Sequence, residues 1–313
     1  PRKAEIMFIS KAYGVLTAGK GEPASYALGK HADLSGTTVA FVSSAYHYGS
    51  GGTYFYNEAP SVADDSRRLS GNNGAGLRVS DVVGGDSLYG VRANRLRYDT
   101  PNLLGWIFSA SHDGKANDNF DYAARSSYEF YNVKVNLGAS AAHIHTATSD
   151  APAVSNNNGN NGANAYRQYA GTIGVLLPCG LNFHFFGGKR HFSASNVQTG
   201  KLWLIKGGYI FKPFSAGETA FALDYGQAHD LFGARSGVSV STLSATLETE
   251  KYQMRSIGAT LVQNFDKLST QAYLSWRTYR LSTNSVSTDA SGTRIRPTYL
   301  PVSYVMLGAK VTF

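Results

Sequence analysis

The chain has 313 residues and a formal charge of +8, and nowhere does it hold the run of roughly 18–20 apolar residues that a membrane-spanning helix needs. Its 34 Gly, 20 Tyr and 16 Phe suit many strands joined by tight turns, and its single cysteine, Cys179, excludes an intramolecular disulfide. The Lys and Arg residues are spread through alternating segments with no run of five or more, which argues against a nucleic-acid footprint.

In chain order, strand-like segments fall near 3–12, 14–20, 91–99, 103–112, 119–130, 132–144, 165–177, 181–192, 201–214, 218–230, 249–264, 268–281 and 298–313. The last sets the pattern. Val305, Leu307, Ala309, Val311 and Phe313 share one face, and Tyr304, Met306, Gly308, Lys310 and Thr312 share the other. One such strand is equally at home half-buried in a soluble sheet. Thirteen of them, many about ten residues long, match tilted membrane strands better than the five or six residues usual in soluble sheets.

The connections alternate. Links at Tyr13–Gly14, Thr100–Asn102, Tyr131, Pro178–Gly180, Ser215–Gly217 and Asp266–Lys267 are tight, as periplasmic turns are. Those at 21–90, 113–118, 147–164, 193–200, 231–248 and 282–297 are longer and polar, as extracellular loops are. Trp106, Tyr122, Tyr128, Trp203, Tyr209, Phe211, Tyr225, Trp276 and Phe313 lie toward strand ends or on the presumed outer face, where interfacial girdles use aromatics. These features predict an all-β transmembrane antiparallel barrel, a single domain over 1–313. Its predicted outer face includes Leu96, Phe108, Val133, Val135, Leu307, Val311 and Phe313.

The same alternation selects lumen charges. Arg95, Arg97 and Asp99 oppose Leu96 and Tyr98. Arg125 lies on the face opposite Phe120, Tyr122 and Ala124, Lys134 between Val133 and Val135, and Arg277 between Trp276 and Thr278; Lys310 follows the terminal pattern. His143 and His145 invite a metal or nucleophile reading, but no Cys, Asp or Glu stands at ligand spacing beside them, and a histidine pair at the barrel rim is the simpler account. His112, His184, His191 and His229 read as girdle, lumen or loop residues.

Several segments resemble the general diffusion porins of Gram-negative bacteria: Ala12-Tyr13-Gly14-Val15-Leu16-Thr17-Ala18-Gly19-Lys20, Leu34-Ser35-Gly36-Thr37-Thr38, Asn94 through Asn102, Tyr128-Glu129-Phe130, and the terminal Leu307 through Phe313. The resemblance implies a sixteen-stranded outer-membrane barrel with a long third loop, here 21–90, folded inward as a constriction. On that scheme the visible strands begin at the fourth, and any export signal has been removed or lies outside the chain. It further implies passive diffusion of small hydrophilic solutes and ions, no enzymatic activity, no cofactor or metal, contact with outer-membrane lipid, and a homotrimer. Lys20 joins the basic lumen wall by resemblance, and Asp64, Asp65, Asp81 and Asp86 are candidate loop carboxylates facing it. A substrate- or anion-selective channel, a barrel enzyme and a soluble barrel are the competing classes.

Overall fold

The computed structural model describes residues 3–41, 55, 79, 88, 93–114, 118–145, 165–193, 198–231, 237–242, 245–288 and 299–312. Its strands are β1 (Ala4–Ser10), β2 (Gly14–Gly21), β3 (Ala93–Asp99), β4 (Trp106–Asp113), β5 (Asn119–Phe130), β6 (Val133–Ile144) and β7 (Tyr166–Leu176). They continue as β8 (Leu181–Phe192), β9 (Gly200–Phe214), β10 (Gly217–His229), β11 (Gly237–Thr242), β12 (Ala245–Phe265), β13 (Thr270–Thr288) and β14 (Val302–Val311). Two short helices, α1 (Leu28–Ala32) and α2 (Thr38–Phe41), follow β2.

Each strand pairs antiparallel with the next in one meander, except that β12 pairs with β10 and β11 forms a side hairpin on β12. Among the described residues β1 and β14 do not pair with each other. All thirteen expected strands are present. The fourteenth, β11, with sequence GVSVST, lies inside the segment 231–248 expected as loop.

Burial is inverted relative to a soluble protein. Leu96, Phe108, Phe183, Ile205, Leu223, Ile257, Leu261, Leu274, Trp276 and Leu307 are exposed, Leu307 to 80%. Arg95, Ser111, Asp121, Gln168, His184, Arg190, Lys206, Asp224, Thr260 and Arg277 are buried, Lys206 to 2%. Soluble folds almost never bury Lys, Asp and Arg while leaving their large aliphatic residues outside; a wall between lipid and a polar interior does so by necessity. Val133 and Val135 lie in register with exposed Phe130 and Tyr128 on this outer face. Phe313 lies outside the described residues. Trp106, Trp203 and Tyr225 are partly covered by ring contacts with Phe108 and Tyr128 and with each other.

The tight links fall where expected. The β5–β6 hairpin turns through Tyr131 and Asn132, both with positive φ (49° and 62°), the geometry of a type I′ turn whose twist matches its strands. At the β7–β8 turn, Gly180 (φ 91°) allows an approach to the Ile210 backbone that any Cβ would block. Toward the long-loop end, the interior holds an apolar cluster in which loop residues Phe55, Val79 and Leu88 meet Phe186, Leu202, Met254, Tyr279 and Leu281 of the wall. The described residues of the long loop therefore lie against the inner wall.

Candidate functional site

After β2 the chain turns inward and runs across the inner wall from β4 to β13. Ala24 N–H donates to Ser111 Oγ (2.9 Å). Ser25 gives its N–H and hydroxyl to the two oxygens of Asp121 (2.5 and 2.6 Å). Arg125 Nη2 donates to the carbonyls of Ala24 (2.6 Å) and Tyr26 (2.9 Å), and Arg97 Nη1 to that of Pro23 (3.2 Å). Backbone carbonyls without secondary-structure partners need donors, and guanidinium groups supply several in a fixed fork.

Next, α1 lies on β6, β7 and β8. It fits because the wall beneath it is glycine: a Cβ at Gly138 would stand 2.7 Å from Leu28 Cδ1, and one at Gly174 would collide with the Ala32 carbonyl. Asn136 Nδ2 donates to the His31 carbonyl (2.8 Å) and His31 Nε2 to that of Ser126 (3.1 Å). Burial lowers the His31 pKa from its ordinary value, aided by the nearby Arg125 charge and only partly offset by the Ser126 bond.

Beyond α1 the strap is pinned by an ion pair. Lys206 Nζ on β9 contacts Asp33 Oδ2 at 2.6 Å, with both side chains 1% exposed, and the hydroxyls of Ser35 (3.4 Å) and Thr37 (3.3 Å) complete its shell. Burial pushes the Asp33 carboxyl up, but the Lys206 charge, with smaller help from His184 and Ser35, outweighs it and holds the group below the ordinary carboxylate range. In the same cross-strand row as Lys206, Asp224 Oδ2 accepts from Arg277 Nη2 at 2.6 Å. The strap then reaches β12 and β13 through α2.

Of the expected lumen residues, Arg95, Arg97 and Arg125 gather around one cavity of about 760 Å³, with Glu5, Glu22, Asp99, Lys30 and His31 also in its walls. Thr100, Asn102 and Gly105 line it too, so it lies toward the tight-turn end. Asp99 Oδ1 accepts from Arg97 Nε (3.0 Å) and Nη2 (2.7 Å), and Glu5 Oε1 from Arg95 Nη2 (2.7 Å). Arg95 Nε and Nη1 are buried with no hydrogen-bond partner among the described residues. Arg277 stands apart from this group, paired with Asp224.

Lys134 shares the inner face with Asn136, and Lys310 that of Met306 and Gly308; both are exposed near the turn end. Lys20 differs from expectation. It lies in register with Ala4 and Asn94, whereas inward Arg95 pairs with Gly19, so Lys20 belongs to the outer face at the loop end of β2. Asp64, Asp65, Asp81 and Asp86 lie outside the described residues. Of the carboxylates carried by the strap, Asp33 docks on the wall instead of facing it across open lumen. Lys206, Asp224 and Arg190 were not singled out by sequence, although each lies between outward residues of its strand, as Arg277 does.

His143 and His145 lie side by side at the loop end, ring centroids 4.2 Å apart and planes tilted by 40°. Among the described residues no group of three or more His, Cys, Asp or Glu is arranged to hold a metal ion.

No protein-family model matches the sequence, and no curated protein matches it. Solved structures do. An anion-selective porin from Comamonas acidovorans aligns over 100% of this chain and 78% of its own, with TM-score 0.51 and 13% identity. OmpT, an outer-membrane protein of Vibrio cholerae, aligns over 98% of this chain and 79% of its own, with TM-score 0.51 and 8% identity. At such identities the likeness is one of fold: with the inverted burial and the meander, this chain has the fold of the wall of a porin-type outer-membrane β-barrel.

Proposed function

We propose that the protein is an outer-membrane channel for passive diffusion of small hydrophilic solutes and ions, narrowed by the strap of residues 22–41. The observation that carries this reading is the cavity of about 760 Å³ between strap and wall, whose lining includes Arg95, Arg97, Arg125 and Lys30 together with Glu5, Glu22 and Asp99. Fixed charges of both signs at a narrowing orient water and dipolar solutes and exclude apolar ones. No covalent step is needed, and diffusion accounts for the site without one. The homotrimer belongs to the same reading, and cross-linking in mild detergent that yields only monomers would remove it.

Four cations, Arg95, Arg97, Arg125 and Lys30, against the three carboxylates Glu5, Glu22 and Asp99 in the cavity walls favour a mild preference for anions. Anion selectivity in the Comamonas porin makes that preference plausible for this barrel shape. The test is single-channel recording under a salt gradient. Replacing Arg95 and Arg97 together by Gln is expected to shift the reversal potential toward cations while the barrel stays folded. An unchanged potential would mean that these side chains do not line the conducting path.

A further inference from the structure

The inner wall beside the arginines carries a feature that a water-filled passage does not need. Met7 and Ile9 of β1, Val15 of β2 and Ile107 of β4 share the inward parity of Thr17, Arg97 and Arg125. Met7, Val15 and Ile107 line the cavity of about 760 Å³, and Met7 and Ile107 are exposed there, to 58% and 39%. The end of the sheet does not account for this. Val15 is paired on both sides, with Ile9 and with Asp99. Ile107 pairs with Arg125, and on its other flank the Thr100 N–H donates to the Phe108 carbonyl (2.9 Å). Interiors of porin-type barrels are polar, and an apolar side chain turned to water adds nothing to the stability of the wall.

The charges of the same cavity are unequally spent. Glu5 accepts from Arg95 (2.7 Å), Asp99 from Arg97 (2.7 Å) and Glu22 from Lys3 (2.5 Å). Arg125 gives its Nη2 donors to the strap carbonyls of Ala24 and Tyr26. Lys30, held out by α1, is exposed, and its ammonium has no partner among the described residues. An exposed lysine is ordinarily just solvated; what sets Lys30 apart is that it lines the same cavity as the apolar side chains. One free cation beside three paired carboxylates leaves a place for a single negative charge. A second charge on the same solute would stand unmatched near Glu5, Glu22 and Asp99, where like-charge repulsion opposes it.

We infer that this cavity is a binding site for small amphipathic monocarboxylates: an aromatic or branched acid whose carboxylate meets Lys30 and whose apolar body covers Met7, Val15 and Ile107. The ammonium supplies a charge-assisted hydrogen bond to the carboxylate. Covering the apolar side chains removes area from water on both partners, which favours such an acid over chloride or acetate, neither of which has a body to lay there. Ligand pockets combine an apolar lining with a few polar groups that fix orientation, and their usual volumes, about 300–1,000 Å³, bracket this one. Passage requires that the acid also leave, so binding is weak, in the millimolar range. The inference rests on the channel reading and deepens it by naming the class of solute the channel favours.

Fluorine NMR titration of the detergent-folded barrel, with protein-free micelles as the baseline, measures affinity without requiring conduction. The probes are para-fluorobenzoate, fluoroacetate, the uncharged para-fluorobenzyl alcohol and the dianion fluorophthalate. The wild type is expected to bind para-fluorobenzoate about tenfold more tightly than fluoroacetate, the gain from one partly buried ring, and more tightly than the alcohol or the dianion. M7S/I107S should bring para-fluorobenzoate down to the affinity of fluoroacetate. K30Q should weaken both monocarboxylates about fivefold. K267Q, at the β12–β13 turn and outside the cavity, should bind as the wild type does. If M7S/I107S fails to fold, M7S and I107S taken singly should each cut the preference for para-fluorobenzoate about threefold. Equal affinity of the wild type for the two monocarboxylates, or an undiminished preference in the serine variants, overturns the apolar contact. Alcohol or fluorophthalate bound as tightly as para-fluorobenzoate overturns the single charge, and a loss in K267Q equal to that in K30Q overturns the site. A wild type that binds para-fluorobenzoate yet never conducts sinks the channel reading and leaves the site standing; one that conducts and does not bind it sinks the site alone.

Discussion

Lys206 and Asp33 illustrate what a buried charge does in this barrel. Each is desolvated, and each is tolerated because the other lies 2.6 Å away with two hydroxyls filling the remaining donor directions of the ammonium. Lys206→Met leaves Asp33 buried without its cation, which should cost about 3–5 kcal/mol of strap docking. Hydrogen exchange of the 24–37 backbone would register it as lost protection, and full protection in the variant would show that the pair does not hold the strap. Acid acts on the strap through His31 and Asp33. His31 has a folded pKa below its ordinary value, so docking is complete above about pH 6.5 and weakens as pH falls from there through the folded value. Asp33 is also depressed, so its contribution is present above the ordinary carboxylate pKa and is lost only as strong acid carries the pH through its folded value. Strap protection should therefore fall in two steps on acidification, and His31→Gln should abolish the upper one. A single step in the His31→Gln protein and in the wild type alike would sink the assignment. At this scale the sequence was readable wherever parity was used, as for Arg95, Arg97 and Arg277. It misled for Lys20, which was placed by resemblance, although parity with Leu16 and Ala18 puts it outside.

Among the elements, the strands were legible because lipid on one side and polar contents on the other impose a two-residue period that a sequence records directly. β11 was missed for the converse reason: GVSVST lies in a mostly polar stretch beyond the membrane band, where nothing sorts its faces. The path of the strap was not legible either, since what Arg97 and Arg125 hold are the strap's own backbone carbonyls and what α1 rests on are wall glycines, none of which leaves a pattern in the strap sequence. Gly174 is the sharpest of these contacts. Gly174→Val should lift α1 from β7 without disturbing the outer face, raising single-channel conductance while the heat stability of the barrel falls only modestly. Unaltered conductance in a folded variant would show that α1 does not restrict the path. On the outer face the opposite choice applies: Leu307→Arg places a charge against hydrocarbon and should destabilise folding in lipid by about 2–4 kcal/mol, measured by denaturant titration in vesicles.

Taken as a whole molecule, the barrel exchanges the usual relation between sequence and solvent. A water-soluble sheet would need the row Leu96, Phe108, Ile173, Phe185, Ile205, Leu223, Ile257 and Leu274 inside, and here it is outside on every side of the meander. The exposed apolar surface is therefore continuous around the wall and far larger than the few hundred Å² that soluble monomers expose. Inside, the apolar residues that are buried, such as Phe55, Phe186, Leu202 and Tyr279, belong to the packing of the long loop on the wall and do not form a core that could hold two sheets together. Removal of detergent should then aggregate the folded protein, whereas dilution from urea into vesicles should yield a protease-resistant barrel. Yield should be highest where the hydrocarbon thickness matches the outward apolar band, about 25 Å in barrels of this kind. Thicker bilayers would draw Arg167, Lys189 and Lys201, outward cations at the loop end of β7–β9, into hydrocarbon, at a cost of about 2–4 kcal/mol for each cation that reaches the midplane and less nearer the interface. Folded yield should consequently fall more steeply with thickness for the wild type than for R167Q/K189Q/K201Q. Equal steepness would mean that these cations do not lie at the interface, and a folded, monodisperse protein in plain buffer would overturn the membrane placement itself.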